Sequence, residues 1–128
     1  MPEPSASDRR KAAGLGLQLA ATRLVDCLEN GEDIRFKCQY CGTTKTWGRW
    51  ELTTTHRDRL GMTLADIQAR ARCPRCPGRV PILALLKGGY QDRSLPTAEA
   101  RRLWLVDMLL DLGIDPGPLG YAHQPARP

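Results

Sequence analysis

The sequence predicts an α+β fold in one domain that spans residues 7–113. Apolar residues recur at helical spacing near the N-terminus, and a second, strongly apolar helical segment follows residue 97. Between them lie two pairs of cysteines, each next to a short strand-like segment. The length of 128 residues fits a single domain. We expect residues 1–6 to be disordered and residues 114–128 to form a tail rich in proline and glycine.

The first predicted element is an amphipathic helix over residues 7–31. Ser7 is its expected N-cap, and Asn30-Gly31 gives a strong signal for its end. Cys27 is the odd cysteine of the five, and we interpret it as a small buried side chain, with a spare metal ligand or a reactive thiol as the alternative. The apolar stripe at helical spacing consists of Ala13, Leu17, Ala20, Ala21, Leu24 and Leu28.

The middle of the chain alternates short strand and helix signals. Residues 34–37 alternate apolar and charged side chains, which is typical of a strand. Residues 63–66 have the form of a capping box with Asp as the acidic member, and they predict the start of a helix. The predicted strands cover residues 34–37, 43–47 and 80–86, and the predicted helices cover 50–60, 63–69 and 97–112, the last capped by Thr97.

Two pairs of cysteines carry the strongest signal in the chain: Cys38-Gln39-Tyr40-Cys41 and Cys73-Pro74-Arg75-Cys76. Two residues between the sulfurs of each pair let a tight turn point both thiolates at one ion, so the two turns together supply a complete tetrahedral shell. Thiolate is a soft ligand that suits zinc or an iron–sulfur centre, and we expect one structural Zn²⁺. Four unligated thiols and a redox site are the alternatives.

Residues 34–86 resemble the zinc-ribbon and zinc-finger-like modules found in many small bacterial proteins. The resemblance is carried by Phe36-Lys37-Cys38-Gln39-Tyr40-Cys41-Gly42 and Ala71-Arg72-Cys73-Pro74-Arg75-Cys76. It implies a zinc ribbon with a helical insertion between the two cysteine turns, flanked by the N-terminal and C-terminal helices. Such modules bind DNA, RNA or proteins, or brace a fold, so the resemblance specifies the metal better than the activity.

The basic residues are concentrated around the cysteine pairs. Residues 35–79 carry a formal charge of +7, whereas the whole chain carries +5. Four thiolates around Zn²⁺ would lower the charge of this segment to about +5. We expect cations that contact phosphates and aromatic rings that stack on bases of DNA or RNA; alternatively, the cations balance the cluster and the tryptophans belong to the core. The candidate nucleic-acid residues are Lys45, Arg49, Arg57, Arg59, Arg70, Arg72, Arg75, Arg79, Trp47 and Trp50.

The C-terminal helix predicts a second kind of contact. It is apolar over most of its circumference, which exceeds what one packing face of a small domain needs. The surplus could cover the cysteine module and the first helix, or dock a protein partner or a second copy of the chain. The candidate interface residues are Leu103, Trp104, Val106, Leu109 and Leu110, and we expect Asp107 and Asp111 to form a solvated stripe.

The remaining signals argue against an enzyme and against a membrane protein. His56 and His123 are isolated, His56 is expected to be exposed, and no nucleophile–base set or phosphate loop stands out, so we expect no small-molecule substrate. No segment approaches the roughly 20 apolar residues of a membrane span, and no secretory signal is present, so we expect a cytoplasmic protein. We expect a zinc-stabilised nucleic-acid-binding accessory or regulatory protein; the alternative is a protein-interaction adaptor or a subunit of a larger assembly.

Overall fold

The computed structural model describes residues 3–87 and 97–121. Within these ranges the chain forms six α-helices and one three-stranded sheet, which confirms the α+β class. The helices are α1 (Ala6–Ala13), α2 (Leu17–Ala21), α3 (Leu24–Asn30), α4 (Arg49–Thr53), α5 (Leu64–Arg70) and α6 (Ala98–Asp111). The strands are β1 (Glu32–Lys37), β2 (Thr44–Trp47) and β3 (Ile82–Lys87), and short 3₁₀ turns lie at Arg57–Arg59 and Gly117–Leu119.

The sheet is antiparallel, and its strand order β2-β1-β3 places β1 at the centre. Ile34 and Phe36 of β1 are buried whereas Arg35 between them is exposed, as the two-residue period of a strand requires. Lys37 at the end of β1 pairs with the first residues of both β2 and β3. Both cysteine turns therefore lie at the same end of the sheet, and α4 and α5 occupy the chain between them.

The helix expected over residues 7–31 is divided into α1, α2 and α3. Gly14 follows α1 and donates its N–H to the Arg10 carbonyl at 2.7 Å, while Gly16 is extended. Thr22 and Arg23 are also extended and separate α2 from α3. A continuous helix was wrong because two glycines in three residues weaken a helical backbone, which the apolar stripe alone does not offset.

Both ends of this helical region depend on local capping. Ser5 is the N-cap instead of Ser7, because its hydroxyl accepts from the Asp8 N–H at 3.0 Å. The helix thus begins within the segment expected to be disordered, of which residues 1–2 lie outside the described ranges. Gly31 ends α3 with φ 66°, a left-handed conformation that glycine adopts without strain, as the sequence predicts.

The core lies between α3, the sheet, α5 and α6. Its fully buried side chains are Leu24, Val25, Cys27, Leu28, Ile34, Leu52, Leu64, Leu105 and Leu109. Burial, followed by the charges of Glu32 and Asp26, raises the pKa of the Cys27 thiol to about 12. A neutral, enclosed thiol fits the interpretation of Cys27 as a small core side chain, because the thiolate is the form that reacts or binds metal.

The C-terminal helix forms where the sequence predicts it. The Thr97 hydroxyl accepts from the Ala100 N–H at 3.0 Å and caps α6, and Gly113 with φ 75° follows its end. At 14 residues α6 is the longest helix of the described ranges, and none of the helices there is long and apolar enough to cross a membrane.

Part of the expected tail packs on the domain instead of extending from it. Tyr121 is buried, and its hydroxyl donates to the carboxylates of Glu29 at 2.8 Å and Asp26 at 3.2 Å on α3. Arg23 donates to the Leu119 carbonyl and reinforces this contact. The proline and glycine content predicted an extended tail, and for residues 114–121 this was wrong. One buried aromatic side chain with two hydrogen-bond acceptors is enough to hold these residues against α3. Residues 122–128, including His123, lie outside the described ranges.

Candidate metal centre and the basic cleft beside it

The four paired cysteines come together at one end of the sheet through two turns of the same design. In the first turn, between β1 and β2, the Cys38 N–H donates to the Thr43 carbonyl at 2.9 Å. In the second turn, which precedes β3, the Cys73 N–H donates to the Gly78 carbonyl at 3.0 Å. Each turn is thus closed by a hydrogen bond from its first cysteine to the residue five positions later.

The sulfur atoms of these turns form a compact cluster. All four Sγ atoms lie within 4.8 Å of one another, with 3.5 Å between Cys38 and Cys76 and between Cys41 and Cys73. These distances are too long for disulfide bonds, which measure about 2.05 Å. Zinc–sulfur bonds of about 2.3 Å would place tetrahedral sulfurs about 3.8 Å apart. The four cysteines can therefore hold a metal ion, and soft thiolate donors at this spacing fit Zn²⁺.

Thr43 stabilises the thiolate form of Cys41 in the first turn. Its hydroxyl lies 3.1 Å from the Cys41 sulfur. The hydroxyl and then the backbone N–H of Thr43 lower the pKa of the Cys41 thiol to about 6. Cys41 is exposed, and the thiolate is the form of a cysteine that binds a metal. Its sulfur is therefore accessible to a metal ion from solvent.

Backbone amides stabilise the sulfurs of the second turn. The N–H groups of Arg75 and Gly78 donate to the sulfurs of Cys73 and Cys76, each at 3.4 Å. The Arg75 N–H lowers the pKa of Cys73. The Gly78 N–H acts in the same direction on Cys76, but burial and the neighbouring sulfurs raise that pKa to about 12. Pro77 directly after Cys76 has no N–H, and Gly78 supplies a donor one position later.

Gly78 lies directly against the sulfur cluster. A Cβ atom at this position would lie 3.0 Å from the Cys38 sulfur and 3.2 Å from the Cys76 sulfur. On the other side it would lie 2.7 Å from Cδ2 of Tyr40. A side chain at this position would therefore force Tyr40 or the sulfurs to shift.

The link from the second turn to β3 is held by the first turn. Val80 has φ 57°, a conformation that is costly for a β-branched residue, by about 1–3 kcal/mol. The Gln39 side-chain amide donates to the carbonyls of Arg79 at 3.2 Å and Val80 at 2.8 Å. The two turns are therefore joined by hydrogen bonds as well as by their sulfurs.

Four of the candidate cations surround one cleft next to the cluster. The basic cleft has a volume of about 300 Å³. Its lining residues are Lys45, Trp47, His56, Arg59, Met62, Ile67, Arg70, Ala71 and Arg72. Apolar Met62, Ile67 and Ala71 had no functional signal in the sequence, because only the folded chain places them beside the cations.

The basic cleft has more cations than acidic groups around it, although the charge of Glu51 reaches the His56 ring in its wall. Its lining contains Lys45, Arg59, Arg70 and Arg72 and no Asp or Glu. The ion pairs seen among the described residues are Arg9–Glu3 and Arg23–Asp26, and neither includes one of these cations. Unpaired cations around a concave site attract anions, because the surrounding low-dielectric walls concentrate their field.

The other candidate cations have different surroundings. Arg49 lies over the ring of Trp104 with its guanidinium carbon 5.9 Å from the ring centroid. Arg57 donates to the Leu112 carbonyl at the end of α6 at 2.8 Å. Arg75 and Arg79 are exposed on the second cysteine turn. The structure thus divides the predicted basic surface into a cleft group of four and separate single positions.

The two candidate tryptophans differ in their availability. Trp47 lies between Phe36, at 4.5 Å between ring centroids, and His56, stacked at 3.7 Å with an interplanar angle of 25°. Trp47 is half-buried and its ring already stacks on His56, so less of it is available to a ligand than of Trp50. Trp50 is 74% exposed, and its ring is accessible.

His56 was expected to be exposed, and this was wrong: it is buried against Trp47. Arg59 approaches its Nδ1 at 2.9 Å, and because a guanidinium only donates, Nδ1 accepts and the ring proton resides on Nε2. Burial, then the charges of Arg59 and Lys45, lower the pKa of His56 below its usual 6.5. His56 therefore supports the wall of the cleft as a neutral ring, which its exposed-looking sequence context did not indicate.

The candidate interface residues of α6 fall into two groups. Val106 and Leu109 are buried in the core and Trp104 is half-buried. Leu103 is 60% exposed and Leu110 is 46% exposed, with Asp107 exposed between them. Val106 and Leu109 thus belong to the core, Leu103 and Leu110 are exposed, and Asp107 and Asp111 are solvated as expected.

Comparison with known proteins adds no further information on identity. No protein-family model, characterised protein sequence or solved structure matches the chain. The site is therefore interpreted from its own residues.

Proposed function

We propose that this chain is a zinc-stabilised nucleic-acid-binding accessory or regulatory protein. The observation that carries the proposal is the basic cleft, in which four cations without an acidic partner meet apolar side chains next to the cysteine cluster. A group of cations of this kind attracts the regularly spaced phosphates of a nucleic acid, whatever its base sequence.

The metal supports this function indirectly. Zn²⁺ on Cys38, Cys41, Cys73 and Cys76 would complete a zinc-ribbon-like module and leave no open coordination position. Its role is then structural, which favours a binding protein over an enzyme. A metal site built from four thiolates would fit a reducing compartment such as the cytoplasm, where thiols stay free of disulfides.

A salt titration tests the proposal. The zinc-loaded protein is mixed with fluorescently labelled duplex and single-stranded oligonucleotides, and anisotropy is followed from about 50 to 200 mM salt. The affinity should fall as salt rises, because phosphate contacts release counterions. Arg70→Glu should weaken binding, whereas Arg102→Glu on the exposed surface of α6 makes the same change in charge and should not. Absence of binding at low salt, or affinity independent of salt, would refute the proposal.

A protein-interaction adaptor is the second candidate, favoured by the exposed leucines of α6. Leu103, Leu110 and Leu112 are 60%, 46% and 39% exposed. Light scattering over a concentration series tests self-association, and Leu103→Glu with Leu110→Glu should abolish it without lowering stability. A protein that is monomeric at every concentration, with and without these substitutions, would argue against a second copy as the partner.

A further inference from the structure

The basic cleft combines two chemistries that a simple phosphate-binding surface does not need. Cations come from Lys45, Arg59, Arg70 and Arg72, and apolar surface comes from Met62, Ile67 and Ala71 together with Trp47. Ile67 is buried and Met62 is half-buried, so the apolar part lies deeper than the arginines, of which Arg59, Arg70 and Arg72 are exposed. A ligand that matches this arrangement has a flat apolar part and an anionic part.

Two of the cations are held in place by aromatic neighbours. The Lys45 ammonium lies 5.2 Å from the Phe36 ring centroid and 5.5 Å from that of Trp47. Arg59 uses one nitrogen to donate to His56, and its remaining N–H groups are free to reach an anion. A cation that is already positioned loses less conformational freedom when it binds an anion.

The size of the cleft limits what can enter it. A volume of about 300 Å³ lies at the lower limit of small-ligand sites, and it accommodates one nucleotide unit. The stacked base pairs of a duplex keep each base inside the helix, so a duplex would touch only the rim. The four cations carry more positive charge than one phosphate can neutralise. The cations at the rim can therefore also contact the neighbouring phosphates of a nucleic-acid strand.

We infer that the basic cleft binds one unpaired nucleotide of a single-stranded nucleic acid. The base lies against Met62, Ile67 and Trp47, and Arg59, Arg70 and Arg72 contact its phosphate and those next to it. Guanidinium planes stack on bases and pair with phosphates, so the arginines serve both parts of the ligand. This inference rests on the proposed nucleic-acid function and specifies which form of nucleic acid is bound and where.

The test uses Trp47 as its reporter. The full chain with Trp50→Phe and Trp104→Phe retains Trp47 as its one tryptophan, at the edge of the cleft. Adenosine 5′-monophosphate, adenosine and inorganic phosphate are titrated separately, followed by matched single-stranded and hairpin oligonucleotides. We expect a saturable change of Trp47 emission with the nucleotide, and binding at least about tenfold weaker for phosphate or nucleoside alone, because each lacks one half of the contacts.

Two kinds of variant separate the cleft from general charge attraction. Ala71→Leu fills the cleft and leaves every charge in place, so it should weaken single-strand binding and leave the weaker duplex binding unchanged. Arg70→Glu with Arg72→Glu should lower the slope of log affinity against log salt by about 1.4, because two phosphate contacts are lost on a single strand. Arg10→Glu with Arg102→Glu makes the same change in charge at exposed positions outside the cleft and is the matched control.

The outcomes distinguish this inference from the proposed function. If oligonucleotides bind with salt dependence but Ala71→Leu has no effect, or duplex binds as tightly as single strand, the nucleotide site is refuted and the general function stands. Phosphate binding as tight as the nucleotide likewise refutes a role for the base. If no oligonucleotide binds at low salt, both are refuted. If Ala71→Leu loses zinc, the nucleotide site is tested instead by the salt slope of Arg70→Glu with Arg72→Glu and by the change of Trp47 emission. An unchanged slope or an unchanged emission then refutes the site.

Discussion

Replacing Gly78 by alanine tests how closely the metal centre is packed. The new Cβ would lie 3.0 Å and 3.2 Å from the sulfurs of Cys38 and Cys76, and 2.7 Å from the Tyr40 ring. Tyr40 is half-buried and can rotate away, but two sulfurs bound to one ion would have to move by distorting the tetrahedral angles at the metal. Overpacking of this kind costs about 1–3 kcal/mol, and here we expect the cost to appear as weaker zinc binding, by roughly tenfold or more.

The assay is competition for zinc with a chromophoric chelator, together with urea denaturation of the zinc-loaded protein. Gly16→Ala is the control, because φ is −60° there and a Cβ would meet no atom within 4 Å. Gly42→Ala separates steric from conformational effects, since its φ of 77° strains a side chain although no atom lies within 4 Å. If Gly78→Ala holds zinc as tightly as Gly16→Ala does, the two turns are not packed as described.

Three further predictions concern the metal, the core and pH. Cys73→Ser should lose zinc and several kcal/mol of stability, measured by elemental analysis and denaturation; a reduced, folded wild type without metal would contradict this. Leu109→Ala, fully buried, should cost about 2–5 kcal/mol, whereas exposed Leu103→Ala should stay within about 0.5 kcal/mol; equal costs would contradict the assigned orientation of α6. The pKa of His56 is lowered in the folded state, so its contribution to stability is present above pH 6.5 and is lost as pH falls below it. The difference in unfolding free energy between wild type and His56→Gln should therefore shrink on acidification, and a constant difference would refute it.

The two sulfurs within each cysteine pair could be predicted to lie together because that signal is local. Cys38 and Cys41 are close in sequence, so a turn alone brings their sulfurs together, and the same holds for the second pair. The caps at Thr63 and Thr97 were predictable for the same reason, since each side chain bonds to an amide three residues later. Neither cap depends on contacts with distant parts of the chain.

The sequence predicts that basic residues are concentrated in the middle of the chain, but it does not predict which of them line one cleft. The sequence shows ten basic residues between 35 and 79, but it does not show that Lys45 and Arg70 line one cavity whereas Arg57 donates to the end of α6. The stacking of His56 on Trp47 depends on how α4 and the following 3₁₀ turn pack on β2, which is a tertiary effect. For α6 the sequence gives apolar residues on most sides, and only the packed domain decides that Leu109 is inside and Leu103 is outside.

The contact of Tyr121 with α3 has a consequence for synthesis of the protein. Its two acceptors, Asp26 and Glu29, lie 95 and 92 residues earlier in the chain. A ribosome therefore synthesises α3 long before the Tyr121 hydroxyl that donates to it. The same holds for β1, whose partner strand β3 is made about 50 residues later. Because contacts distant in sequence form late, we expect the N-terminal half to complete its fold only after β3 and Tyr121 have been made. The cysteines of the first turn then have no partners in the second pair until residue 76 has been made, so an ion held by all four cysteines would bind only after that point.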